Sequence, residues 1–278
     1  MSSTPETLLI PKIKYSAILN VISKGFHVDR RSVMEYRQLN ITYNVAPNAD
    51  SSVLLRLGNT QILAGIKLEI GQPFPDNPDE GVLIVNAEYI PAASPVYEPG
   101  PPDEDAIELA RIIDRSLRES RAIALDKLVI TPGKRVWSLW VDIYVLDYDG
   151  NLIDASMLAS MAALANTYIP YYEVDQTTGS IRIDRNKKIM PLPINKYVAT
   201  VTINKIGEYM VIDPTGEEEA IASGSITFSV SEDNYIVGIQ KRGMGTFSTD
   251  EIEKALDVAL NKGKEMIELL KKLTAVTK

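Results

Sequence analysis

The chain has no cysteine and only one histidine, His27, in 278 residues. The first absence removes disulfides, thiolate nucleophiles and cysteine-ligated metal. The second removes histidine-rich zinc sites and leaves a serine–histidine triad only His27 to draw on. No apolar run approaches the roughly 20 residues that span a bilayer, and the first residues lack the layout of a secretory signal. A cytoplasmic protein without membrane contact is therefore expected. Nor is the chain basic: 29 Lys and Arg against 37 Asp and Glu leave a net charge of -8. A uniformly basic nucleic-acid surface is excluded, but a local basic patch is not, since screening confines each charge to about 10 Å.

Hydrophobic residues make up 45% and charged residues 24% of the chain, a balance that supports a folded core. The length suits one large domain or two moderate lobes. Residues 12–24 read as an amphipathic helix ending at Gly25. Strand patterns follow at 38–45, 52–57 and 60–70, with a hairpin turn at Gly58-Asn59, and again at 81–90. Four prolines and a glycine in 94–102 stop regular structure, and Asp103 is placed to cap a helix running to about Arg121. A long strand at 135–147 and a helix of small side chains at 153–166 come next. Residues 171–196, with a turn at Thr178-Gly179-Ser180 and a short basic run, read as a connector. Strands at 197–206, 208–213, 225–231 and 234–240 and a closing helix at 249–273 complete a mixed α+β pattern in two lobes. The expected division is an N-terminal helix and arm at 1–32, a first lobe at 33–170, the connector at 171–196 and a second lobe at 197–278.

The segment 103–121 carries the most chemical information. At 100° per residue, Arg111, Arg115 and Arg118 fall within about 60° of one another, with Arg121 just beyond. Ala106, Leu109, Ile112, Ile113 and Leu117 occupy the opposite face. A row of planar guanidinium forks suits successive phosphates. The competing pattern is a solvated face on which Glu108, Asp114 and Glu119 pair with these arginines. Asp147, Asp149 and Asp154 surround a strand–turn–helix junction, and Asp213 ends an apolar strand; paired carboxylates can bind magnesium or move protons, though turn chemistry also explains them. Gly243-Met244-Gly245 after Lys241 and Arg242 fits a turn or bulge better than a phosphate cradle. His27 beside Arg30 and Arg31 fits a loop histidine with ordinary hydrogen bonds better than a ligand group.

Several stretches together resemble the RNase PH family: Tyr36-Arg37, SVLLRLGNTQILAGIK at 52–67, GVLIVNAEYIP at 81–91, EPGPPDEDAIELARIIDRSLRES at 98–120 and VLDYDGNLIDASMLASMAALANTYIP at 145–170. Within the family, the 98–120 run is most similar to the non-catalytic ring subunits of archaeal exosomes. The resemblance implies two pseudo-symmetric βα lobes with mixed sheets packed by helices. It also implies a hexameric ring of three heterodimers with a catalytic paralogue, RNA-binding cap subunits, and single-stranded RNA as ligand. No cofactor or metal ion is expected.

Active members of the family hold the attacking phosphate with Asp-(Ala/Gly)-Gly-(Ser/Thr)-Arg. The matching residues here are Asp149, Gly150, Asn151, Leu152 and Ile153, so leucine and isoleucine replace the hydroxyl and the arginine. Losing that electrostatic clamp removes what phosphoryl transfer depends on most. Asp213 matches the second of two family aspartates, while Gly207 stands where the first belongs, and the family's G-x-R-x-D-G-R opening is degraded to Gly25-Phe26-His27-Val28-Asp29-Arg30-Arg31. Arg111 and Arg115 match positions at which the non-catalytic subunit contacts RNA, and Arg118 extends that row. The expectation is an inactive subunit that binds RNA and completes its partner's site. The rivals are an autonomous exoribonuclease with a rearranged phosphate site at Arg135, Lys241 or Arg242, and a pure scaffold.

Overall fold

The computed structural model describes residues 6–175 and 180–275. In chain order the elements are α1 (Glu6–Ile22), β1 (Leu39–Tyr43), β2 (Ser51–Leu57), β3 (Thr60–Gly71), β4 (Val82–Tyr89), α2 (Glu104–Glu119), β5 (Val129–Thr131), β6 (Arg135–Asp147), α3 (Leu152–Ala165), β7 (Tyr168–Val174), β8 (Ile181–Pro191), β9 (Val198–Ile206), β10 (Tyr209–Ile212), α4 (Gly216–Glu219), β11 (Gly224–Ser231), β12 (Ile236–Gly243) and α5 (Thr249–Ala275).

The first sheet runs β1-β2-β3-β6-β4, with β5 added to β6. Its pairs are antiparallel except β4 with β6, which are parallel and joined through α2. The second sheet runs β10-β9-β11-β12 and is antiparallel throughout. Along β3, Thr60, Ile62, Ala64, Ile66 and Leu68 are buried alternately, the period-2 pattern of a strand with one face on the core. That face meets α3, and every residue of α3 is buried. This helix lies between β2 and β3 of one sheet and β9 of the other. Its alanines and serines let it approach both, as a helix buried on all sides requires. α2 lies against β4 and β12, and α5 against β9 and β11. The two lobes thus share a central helix, and the start of that helix lies on the boundary between them.

The structure differs from the sequence reading in four places. α1 begins at Glu6, earlier than expected, and its Ile18 and Ile22 bury against Ile206 and Val211 of the second lobe. The stretch taken as a connector carries most of the two-stranded β7–β8 hairpin, which begins at Tyr168. Its strand character is masked because β8 is mostly solvent-exposed and the register shifts around Pro170, so no regular alternation survives. The expected turn at Thr178-Gly179 lies outside the described residues. β5 and α4 are three and four residues long, too short for a periodic signal. Among the described residues no helix is long and apolar enough to cross a membrane.

Candidate nucleic-acid interface and the turn at the start of α3

α2 forms where the sequence places it. Asp103 at the N-cap accepts a hydrogen bond from Ala106 N at 2.8 Å, and Glu104 and Asp105 occupy the positive end of the helix. Ala106, Leu109, Ala110, Ile112, Ile113, Ser116 and Leu117 are buried, which leaves Arg111, Arg115 and Arg118 on the exposed face.

The fate of the neighbouring carboxylates decides what this row can do. Asp114 holds Arg118 at 2.6 Å, and the same guanidinium donates to the Leu83 carbonyl at 3.1 Å. For Arg118 the solvated ion-pair pattern therefore holds. Glu108 turns to the second lobe, where it accepts from Arg242 Nε at 2.8 Å and Gln240 Nε2 at 3.1 Å. Asp105 accepts from Arg242 Nη2 at 3.1 Å. Arg242 thus draws off Asp105 and Glu108 from the first two turns. Among the described residues Arg111 and Arg115 make no ion pair and no side-chain hydrogen bond. They stand one turn apart, about 6 Å along the axis. Arg115 also borders a shallow cleft with Ile112, Ser116, Ser229, Gly238, Ile239 and Gln240.

The turn at the start of α3 is built differently. Gly150 has φ +81, and a Cβ there would lie 2.4 Å from the Pro214 carbonyl oxygen, so only glycine fits. Asn151 is left-handed at φ 55 and ψ 46 and makes no side-chain cap bond to its own helix. Instead its Nδ2 donates to Asp213 Oδ1 at 2.8 Å, and its backbone N–H donates to Glu219 Oε2 at 2.9 Å. Leu152 and Ile153 are buried and belong to the main hydrophobic core. These two side chains pack; they bring no donor to the helix start. Beside the turn is a cavity of about 100 Å³ whose lining includes Tyr89, Tyr97, Tyr148, Glu219 and Arg242.

Asp213, the residue matching one family aspartate, is fully buried. Its carboxylate accepts from Arg37 N at 2.7 Å, Arg37 Nε at 3.0 Å, Arg37 Nη2 at 2.8 Å, Arg31 Nη1 at 3.2 Å and Asn151 Nδ2 at 2.8 Å. With both oxygens so engaged, it is a structural anion joining the lobes. Gly207, at φ +61, makes the β9–β10 turn, and a Cβ on it would meet Leu19 Cδ1 at 2.9 Å.

The other candidate carboxylates have their own partners, although Asp149 also shares Arg37 with Asp213, at 3.4 Å and 2.8 Å. Asp147 accepts from Gln61 at 3.3 Å. Asp149 accepts from Gly216 N at 3.0 Å and Asn59 at 3.1 Å. Asp154 is buried beneath Tyr36 Oη at 2.9 Å, Thr202 N at 3.1 Å and Thr202 Oγ1 at 2.8 Å, and burial pushes it up to about 6. Among the described residues no three His, Asp or Glu side chains are grouped to hold a metal ion.

His27 departs from the expected loop histidine. It is fully buried, with Nδ1 2.7 Å from Glu218 Oε2, and its Nε2 has no partner among the described residues. That histidine bond, with others from Val28 N and Thr215 N, holds Glu218 below the usual carboxylate range in spite of burial. Of the three residues named for a rearranged phosphate site, Arg135 lies exposed at the far end of β6 and Lys241 donates to the Gly243 carbonyl. Only Arg242 reaches the cavity. The Gly243-Met244-Gly245 segment is a turn pressed on Ser223 and Gly224, and it offers no cradle.

Sequence reasoning missed the roles of Glu218 and Glu219. A signal was present: Thr215-Gly216-Glu217-Glu218 has the spacing of a capping box, and Glu218 Oε2 does accept from Thr215 N at 2.9 Å. It also missed Arg242 as the residue that frees Arg111 and Arg115. That pairing spans more than a hundred residues and carries no local pattern.

Comparison with known proteins agrees with this geometry. Models of the 3' exoribonuclease family match residues 35–170 (domain 1) and 196–262 (domain 2). The chain is 49% identical to the exosome complex component Rrp42 of Saccharolobus islandicus and 47% identical to that of Sulfurisphaera tokodaii, each over 98% of both chains. It is similar to a chain of the Archaeoglobus fulgidus exosome with RNA bound to the active site, at TM-score 0.84 and 39% identity, covering 94% of this chain and 98% of that one. A chain of an archaeal exosome core matches at TM-score 0.81 and 36% identity, covering 95% and 98%. The two-lobed chain belongs to the RNase PH family of 3' exoribonucleases, with both family domains present.

Proposed function

We propose that this chain is a non-catalytic ring subunit of an archaeal exosome, which degrades RNA from the 3' end. It alternates with a catalytic RNase PH-type paralogue, three heterodimers closing a hexameric ring in the cytoplasm, with RNA-binding cap subunits on the ring. Its α2 holds the sugar–phosphate backbone of single-stranded RNA while the partner supplies the phosphate grip and the acid. Contacts to phosphate carry no base information, so binding is largely independent of sequence.

The observation that carries this reading is the division of charge on α2: Glu108 and Asp105 are bound to Arg242, which leaves Arg111 and Arg115 unpaired on an exposed face. Two further features support the non-catalytic part. The turn at 149–153 presents no hydroxyl or guanidinium, and Asp213 is saturated by Arg37, Arg31 and Asn151. The relatives named Rrp42 match over nearly their whole length.

The test is the double variant Arg111→Ala/Arg115→Ala in the mixed complex. The ring should assemble normally, RNA binding and phosphate-dependent shortening should fall, and the slope of log K against log salt should flatten by about 1.4, two lost single-strand phosphate contacts at about 0.7 each. Unchanged turnover and salt slope would remove the role given to α2. Release of nucleoside diphosphates by the chain alone would show that it is an enzyme in its own right.

A further inference from the structure

We propose that the Glu219 carboxylate is a built-in anion at the start of α3, delivered from the second lobe, and that it closes the neighbouring cavity to inorganic phosphate. The proposal rests on the reading that the 149–153 turn has no phosphate grip of its own, and it adds what occupies the place instead.

A fourteen-residue helix begins here with a positive end and first-turn N–H groups in need of acceptors. The usual local remedy is absent: Asn151 is left-handed, its Nδ2 donates to Asp213, and its Oδ1 accepts from no N–H of the helix. Glu219 supplies an acceptor for the N–H of the cap residue itself, with Oε2 2.9 Å from Asn151 N and 3.3 Å from Tyr148 Oη. Among the described residues Glu219 makes no ion pair: the one guanidinium lining the same cavity, Arg242, is bound to Asp105 and Glu108, although its charge still favours the ionised carboxylate. Backbone packing holds α4 in place: Asp149 Oδ1 accepts from Gly216 N at 3.0 Å, and Gly150 is pressed against Pro214 and Thr215.

Glu219 therefore approaches the helix start along a path that neither lobe can vary alone. The cavity, about 100 Å³, is lined by a second carboxylate, Asp105. A phosphate dianion entering it would face two negative groups and compete for an N–H already taken. Like charges at that range cannot both be held ionised without loss.

The experiment measures inorganic phosphate binding to the full chain by 31P line broadening and by thermal shift at chloride-matched ionic strength. Wild type, Glu219→Gln and Glu219→Ala are compared. The wild-type chain should show no saturable response. Glu219→Ala should bind phosphate saturably, at least about tenfold more tightly than wild type, as removal of one close like charge implies. Glu219→Gln, which keeps an oxygen for Asn151 N–H but loses the charge, should fall between them and decides the matter if the alanine variant does not fold. Adding Arg242→Gln should abolish the gain; a gain that persists would place the anion elsewhere and overturn the proposal. Folded variants that bind no better than wild type would overturn the role of Glu219 alone. Saturable phosphate binding by the wild-type chain would instead overturn the reading of the turn itself.

Discussion

Replacing Asp213 tests whether its carboxylate is a structural group or an acid left over from chemistry. The side chain is fully buried and accepts five hydrogen bonds, three of them from Arg37, which is itself nearly buried. Removing one partner of a buried ion pair typically costs about 3–5 kcal/mol, because the other charge is left uncompensated. The structure places this case at the lower end. Arg31 keeps Asp29 at 2.7 Å, and Arg37 keeps the Asp149 carbonyl at 2.6 Å and the Gly150 carbonyl at 3.3 Å. Asp213→Ala should therefore lose about 3 kcal/mol, or about 6–12 °C in Tm at 2–4 °C per kcal/mol for a chain of this size class.

Urea unfolding and calorimetry of the wild type, Asp213→Ala, Arg37→Met and the double variant form a cycle, and the double loss should be well below the sum of the single losses. Asp213→Asn should also destabilise, because its NH2 would face the Arg37 and Asn151 donors. If Asp213→Asn stayed within about 1 kcal/mol of wild type while reducing RNA degradation by the mixed complex, the structural assignment would be wrong, and Asp213 would be acting as an acid.

Two further predictions concern the same boundary between the lobes. Burial raises Asp154 from the ordinary aspartate range to about 6, so between about pH 4 and 6 the folded chain binds a proton that the unfolded chain does not. Its contribution to stability thus falls as pH rises through that window, by up to about 3 kcal/mol, and levels off above it; Asp154→Asn removes this titration, so the wild-type-minus-variant difference in urea stability should fall between about pH 4 and 6, and a difference independent of pH would refute the assignment. Gly150→Ala should cost more than about 1 kcal/mol, because φ is +81 and the added carbon meets the Pro214 carbonyl oxygen at 2.4 Å; a Tm equal to that of wild type would mean that the turn can relax.

What could be read from the sequence tracks how local its cause is. The stripe of α2, its Asp103 cap and the period-2 burial of β3 follow from neighbours within a few positions, and each lies where periodicity placed it. The β7–β8 hairpin could not be read in this way. Ile169, Tyr172 and Ile183 pack it on the main core and Arg185 ties it to Asp50 at 2.5 Å, but these contacts follow no regular spacing along the chain. The same limit applies to the arginine row. Spacing put Arg111, Arg115 and Arg118 on one face, but it could not tell that Asp114 would hold Arg118 while Arg242 took Glu108. That distinction required the second lobe.

The two sets of charged residues show why identity alone is a poor guide to chemistry. A buried carboxylate such as Asp213 can match a family position and still be unable to act, because every lone pair in reach is already taken. Its presence is required by Arg37, which would otherwise be a buried charge without a partner, so folding alone is enough to hold the residue. Leu152 and Ile153 face no such constraint: once a helix start need not hold a phosphate, packing into the core is the favourable use of those positions. Arg111 and Arg115 are the opposite case. Neither is needed by any described side chain, neither buries apolar surface in the core, and a pair of unpaired guanidinium groups on an acidic protein gains most from an anion that the chain itself does not provide. On α2 two guanidinium groups are therefore left unpaired among the described residues, whereas the carboxylate that resembles a catalytic one has both oxygens engaged.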